Sequence, residues 1–143
     1  MVGNIKIFTY IIIMSEERKI PKKYLPDTLT KEDREKQKKS IEEGKDRPKV
    51  DSYKSKRSRF VVAFEKKYGT VITDDDFISK NIISKDGIKQ ILAKGFAAYY
   101  TSGSRPNQTK ESWARARLAS VIMGGKARDV DRKIWEKYKK DKA

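Results

Sequence analysis

The stretch TSGSRPNQTKESWARARLASVIMGG runs from Thr101 to Gly125. Its first half is turn chemistry: glycine, proline and asparagine in quick succession interrupt any regular element. Thr109 then stands where a helix N-cap belongs. Behind it, Ala114, Leu118, Val121 and Ile122 recur at helical spacing, and the Gly124-Gly125 pair is a stop signal. Capped start, periodic apolar stripe and glycine stop together specify a helix, and the same grammar recurs on either side.

Upstream, Phe60, Val61, Phe64 and Tyr68 share a helical face that ends at Gly69. Thr73 with Asp74, Asp75 and Asp76 reads as an N-cap followed by acids that suit a helix N-terminus. Ser84-Lys-Asp-Gly87 starts another helix, with Ile88, Ile91 and Leu92 on one side and Gly95 near its end. Phe96 to Asn107 reads as irregular. Downstream, Val130, Ile134, Trp135 and Tyr138 form one face of a last helix. No sustained period-2 alternation occurs outside the N-terminal tail.

The expected fold is therefore all-α: four to five short helices over residues 59–140, preceded by a long extended basic arm. The arm, residues 15–58, is broken by Pro21, Pro26 and Pro48. Its one helix opens at Thr30 with Asp33 at N3, a capping-box pattern, and ends before Gly44. That helix has almost no apolar stripe, and such a helix lies against something or floats. Residues 1–14 contain IKIFTYIIIM (Ile5 to Met14). The run is half of the roughly 20 apolar residues a membrane span needs. It reads as a strand or buried anchor, or as sequence ahead of a true start at Met14, and a membrane contact by residues 5–14 stays open.

Composition narrows the chemistry. The 143 residues carry 35 Lys and Arg against 20 Asp and Glu, a net charge of +15. Such a field attracts polyanions, whether nucleic acid, an acidic protein surface or an anionic membrane; the plain alternative is a lysine-rich soluble surface. There is no cysteine and no histidine. Thiol chemistry, Cys-ligated metals and the commonest general base are thereby excluded. The expected reading is a non-enzyme with no cofactor.

Individual motifs point the same way. Asp74–Asp76 lacks the Asx alternation of an EF-hand and is read as a cap rather than a metal site. GFAAYYTSGSRP (Gly95–Pro106) lacks the Walker pattern. In that run one of the adjacent Tyr99 and Tyr100 is expected to pack inward and the other to face solvent. On the Thr109–Met123 helix, Arg115 and Arg117 lie about 200° apart and address different neighbours. Glu111 at i−4 is a candidate partner for Arg115, and Trp113 at i−4 a stacking partner for Arg117. Alanines 114, 116 and 119 keep the helix slim enough for another helix or chain to approach. The candidate partner- or phosphate-binding residues are Arg105, Lys110, Arg115, Arg117, Arg128, Arg132 and Lys133, with Tyr99, Tyr100 and Trp113 as candidate surface aromatics.

Four blocks, KYLP (Lys23–Pro26), RPKVDSYKSKRS (Arg47–Ser58), FEKKYG (Phe64–Gly69) and AAYYTSGSRPNQTKESWARARLASVIMGGKAR (Ala97–Arg128), resemble a family of basic proteins encoded by large DNA viruses of algae and amoebae, chlorovirus- or mimivirus-like. The resemblance spans roughly residues 22–138; the tail before Met14 departs from it. The family carries no established activity. Its viral setting implies a virion component: a minor capsid or capsid-lining protein on the inner face of the capsid, present in host cytoplasm during assembly. The implied partners are the major capsid protein and other minor capsid proteins. Sequence-tolerant binding to the viral genome is the alternative, since no base-reading motif is present.

Overall fold

A computed structural model of the chain describes residues 20–141. Among them are seven α-helices and one 3₁₀ turn, Lys22–Tyr24, with no strand; the chain is mostly helical. We number the helices α1 (Lys31–Glu42), α2 (Arg59–Tyr68), α3 (Asp75–Asn81), α4 (Lys85–Thr101), α5 (Lys110–Ile122), α6 (Lys126–Val130) and α7 (Arg132–Tyr138). The chain divides into two units. One comprises the described residues up to Ser55 together with Tyr100–Gln108; the other comprises Lys56–Tyr99 and the chain from Thr109 onward. The expected apolar tail and residues 15–19 of the expected arm lie outside the described residues.

In the first unit, α1 forms where the cap predicts it. Thr30 accepts a hydrogen bond from the Asp33 backbone N–H. The Asp33 carboxylate does not complete a capping box. It accepts instead from Ser52, whose hydroxyl lies 2.5 Å away and in turn accepts from the Thr30 N–H. A serine 19 positions downstream of Asp33 thus bridges the two ends of the box. This bond, reinforced by the Ser52 backbone N–H and the Thr30 side chain, holds the Asp33 carboxyl below its ordinary value. A depressed carboxyl contributes stability above its unfolded value, near 3.9, that is lost as pH falls through the lowered folded value. Ser52→Ala is expected to raise the Asp33 pKa toward the ordinary value, read directly by NMR titration of its carboxyl carbon.

At its other end α1 closes in a Schellman motif. Gly44 has φ +63°, its N–H reaches the Ile41 carbonyl, and the Lys45 N–H reaches the Ser40 carbonyl. The helix is polar, yet its inner side is fixed by a buried glutamine. Gln37 donates through Nε2 to the Tyr24 carbonyl at 3.1 Å and to the Ser104 carbonyl at 2.9 Å. Tyr24, Leu25, Leu29, Ile41 and Val50 are buried in this unit. From Ile20 onward the expected arm therefore holds a 3₁₀ turn, a capped helix and buried side chains.

The second unit carries the main core. Phe64 of α2, Ile78 of α3, Ile83, Ile91 of α4, and Leu118, Ala119 and Val121 of α5 have no exposed surface. Helix α2 contacts α5, α5 contacts α6, and α6 contacts α7. Ser58 caps α2 and Gly69, at φ +66°, ends it. The cap of α3 is Asp74 rather than Thr73, because the Asp74 side chain, not the threonine hydroxyl, accepts from the Phe77 N–H. Thr109 caps α5 with Ser112 in a reciprocal capping box.

Three expectations need correction. Helix α4 does not end near Gly95 but runs through Thr101, so Phe96 to Thr101 is helical. Gly95 is buried mid-helix because a Cβ there would lie 2.7 Å from the Cα of Ala114; it marks a close approach, not a stop. Second, six helices occupy residues 59–140 rather than four to five, because the last one is broken at Asp131. Third, Val130 is 69% exposed and leaves the expected stripe. The break rotates it away from Ile134 and Trp135, which are buried. Past α7 the chain pairs with the α3–α4 turn through one antiparallel bridge, Ile83 with Lys139. The Ser84 N–H donates to the Tyr138 carbonyl and the Lys140 N–H to the Ile82 carbonyl.

Candidate functional site

The opening loop is tied down inside its own unit. Asn107 sits at φ +66°, a conformation asparagine tolerates better than most residues. Its side chain clamps the 50–53 segment: Oδ1 accepts from the Val50 N–H, and Nδ2 donates to the Val50 and Tyr53 carbonyls. Ser104 and Pro106 are buried on either side of Arg105, which is exposed. The turn therefore does present Arg105. Burial raises the pKa of the Tyr24 hydroxyl, with Arg105 and Arg47 partly opposing it. Asn107→Gly keeps the backbone conformation available while deleting three hydrogen bonds. It is expected to cost about 1–3 kcal/mol in urea unfolding.

The Tyr99-Tyr100 pair splits. Tyr99, proposed as a surface aromatic, is 1% exposed and is corrected to a buried residue. Tyr100 is half-buried and donates its hydroxyl to Asp46. Helical geometry explains the split: adjacent residues point about 100° apart, so one faces inward. Trp113 is half-buried. Lys110 lies over the Phe96 ring at 5.7 Å.

The α5 arginines do address different neighbours, both within the second unit. Arg115 forms a two-pronged pair with Asp75 at the start of α3, at 2.6 and 3.2 Å, and reaches the Ile72 carbonyl. Its expected partner Glu111 is displaced by a carboxylate distant in sequence. Arg117 forms a two-pronged pair with Asp131, both bonds 2.8 Å, rather than a stack on Trp113. Asp131 is 1% exposed, and Lys94 approaches it at 3.6 Å. An acid that ends one helix and starts the next is thus drawn inward to meet a cation on α5. The slim face of α5 serves the same chain: Ala114 meets Gly95 of α4.

Arg128 is also used internally. Its Nε and Nη2 donate to the Val121 and Ile122 carbonyls at 2.8 Å, and its guanidinium lies 4.4 Å over the Trp135 ring. It satisfies carbonyls that the end of α5 leaves without helical partners. Arg132 pairs with Asp129 on the surface, and Lys133 is exposed. Of the seven cations proposed from sequence, Arg115, Arg117 and Arg128 are structural ties, Lys110 is half-buried over Phe96, and Arg105, Arg132 and Lys133 face solvent.

Asp74 of the aspartate triplet is an N-cap; its carboxyl is lowered first by the Thr70 hydroxyl and then by the Phe77 N–H. Among the described residues no group of three or more His, Cys, Asp or Glu could hold a metal ion. No described helix is long and apolar enough to cross a membrane.

Among the described residues each unit carries a depression. One of about 510 Å³ in the first unit is lined by Tyr24, Ile41, Glu42, Glu43, Gly44 and Tyr100 among others. The other, about 340 Å³, lies in the second unit and is lined by Lys67, Tyr68, Ile122, Met123, Arg128, Trp135 and Lys139. Lys67, inside the FEKKYG block, and Lys139 are not among the candidates drawn from the sequence, because only the packing of α2 against α5 and the return of the chain after α7 bring them to one place.

The second unit also holds the charge. It contains twenty of the 35 Lys and Arg but only ten of the 20 Asp and Glu. Several of those acids are engaged by structural partners: Asp131 by Arg117, Asp75 by Arg115, Glu65 by Arg57 and Asp74 by the α3 N-terminus. The lysines stay outside. Arginine suits inner pairs because its planar fork matches a carboxylate, whereas lysine keeps its strongly hydrated ammonium in water.

The chain belongs to the family of unknown function DUF5824, whose model matches residues 9–139. No curated protein and no solved structure matches it.

Proposed function

We propose that this member of DUF5824 is a non-enzymatic structural protein of a large DNA virus particle, a minor capsid or capsid-lining protein. Its helical unit docks by a lysine-rich exterior on acidic or phosphate-bearing surfaces inside the shell. The observation that carries the docking reading is the division of charge in the second unit. Half-buried arginines hold the helices together through Asp75 and the buried Asp131, so these acids are used within the fold and lysines are left to face a partner. The viral setting rests on the four sequence blocks that carry the resemblance. The residues before Ile20, with their apolar run, supply a second means of attachment to neighbouring capsid proteins in this reading.

Quantitative proteomics of purified particles tests it. A fixed copy number that stays with the shell after the DNA is emptied is the expected result. Departure of the protein together with the DNA overturns the capsid role.

The net charge of the second unit favours a second reading, sequence-tolerant binding to the genome. Arg105, Lys110, Arg128, Arg132 and Lys133 are the backbone contacts it uses, because Arg115 and Arg117 are already committed to Asp75 and Asp131. Fluorescence anisotropy on random duplex DNA then shows a steep fall of affinity with salt. An absence of binding at low salt removes this reading.

A further inference from the structure

We propose that the depression at the carboxyl end of α5 is a phosphate-binding site. This deepens the reading of a phosphate- or acid-seeking exterior, and rests on it only for what carries the phosphate.

Three cations from three parts of the fold line one depression: Lys67 in the last turn of α2, Arg128 in α6, and Lys139 just past α7. Among the described residues no Asp or Glu lines it. Lys139 also pairs with Glu136 at 3.2 Å, an exposed contact that an incoming anion competes with. The volume of about 340 Å³ is near the lower limit for ligand pockets and suits a small anionic group rather than an extended cofactor.

Arg128 gives the site its rigidity. Two of its nitrogens are fixed on the Val121 and Ile122 carbonyls and its plane lies against Trp135. Those bonds also neutralise the negative end of α5, which otherwise repels an anion. Nη1 takes no part in them and lies beside Gly124, whose missing side chain leaves it uncrowded: a Cβ there would stand 3.4 Å from Nη1. Lys67 lies 5.2 Å from the Tyr68 ring and is otherwise exposed, so its ammonium is free to swing toward an oxyanion. A fixed guanidinium and two lysine ammoniums thus reach one depression from three separate elements. That matches the tetrahedral oxygens of a phosphate better than the two coplanar oxygens of a carboxylate.

The test is an NMR titration of the full-length ¹⁵N-labelled chain with inorganic phosphate, with a short single-stranded oligonucleotide, and with a glutamate-rich peptide. Trp113→Phe assigns the two indole signals. The expected result is saturable movement of the Trp135 indole and the Ile122–Gly125 amides with phosphate and oligonucleotide. Lys67→Glu with Lys139→Glu, both at exposed positions that leave the core intact, weakens that response at least about tenfold. Saturation by inorganic phosphate alone identifies a free-phosphate site; tighter saturation by the oligonucleotide identifies the nucleic-acid backbone. Shifts scattered over all lysines, or unchanged in the double variant, overturn the site. An equal response to the glutamate peptide overturns the choice of phosphate. The same double variant separates this proposal from the one before it. If phosphate fails to bind while the protein remains with emptied shells, only the site falls; if phosphate binds and the protein is absent from particles, only the virion role falls.

Discussion

Asp131→Ala is expected to lower the free energy of unfolding by about 3–5 kcal/mol, the cost of stranding one partner of a buried ion pair. Both carboxylate oxygens of Asp131 are held by Arg117 at 2.8 Å, and the residue is shut away from water. Removing the acid leaves a guanidinium on α5 with its counter-charge gone, and unties α5 from the α6–α7 junction. Urea unfolding of the variant should show a lower midpoint with an unchanged m value. Replacing both partners, Arg117→Met with Asp131→Leu, should cost much less than Asp131→Ala alone, because no buried charge is then stranded. If the double variant is as unstable as the single one, the pair is not what holds this junction.

Gly95→Ala is expected to destabilise, although the substitution ordinarily helps a helix by roughly 0.5–1 kcal/mol. Helix propensity predicts a gain in the middle of α4. Packing predicts the opposite, because the new Cβ would stand 2.7 Å from Ala114 Cα and 2.8 Å from its Cβ. Backbone does not yield like the tip of a long side chain, so α4 and α5 must separate. Overpacking of this kind costs about 1–3 kcal/mol, and Gly95→Val should lie at or beyond the upper end. Ala114→Gly is expected to rescue little, since the Cα of residue 114 remains in the way. A rise in stability on Gly95→Ala would show that the two helices have room to spare. Gly125 is a related case at the end of α5, where an added Cβ would stand 2.4 Å from the Phe60 ring.

The two expectations share a lesson about motifs. Dense clusters of distinctive residues look like chemistry, but here they are joints. Asn107 clamps Val50 and Tyr53, and Gln37 joins Tyr24 to Ser104. Each of these bonds runs between sequence blocks that also carry the family resemblance, or between such a block and α1. Backbone groups buried by a loop must find partners, and a side-chain amide that donates and accepts at once answers that need in little space. The SGSRPN turn is accordingly a fixed element that presents Arg105 to solvent.

Local signals were legible in the sequence wherever their physics is local. The caps Thr30 and Thr109, the glycine stops at 44, 69 and 124, and the apolar stripes of α2, α4 and α5 all concern residues within one or two turns of each other. They determined the helical class and most helix starts. What the sequence alone left open was every choice between a near and a distant partner. Glu111 lay in reach of Arg115 by spacing, yet Asp75 holds it; Gly95 resembled a stop, yet Ala114 required it. Val130 fitted a stripe that Asp131 breaks to reach Arg117, and Lys67, Arg128 and Lys139 line one depression from positions far apart in the chain. The tertiary structure decided these because burial changes what a partner is worth. A surface pair at i, i+4 contributes a few tenths of a kcal/mol, whereas an arginine and a carboxylate withdrawn from water must find each other.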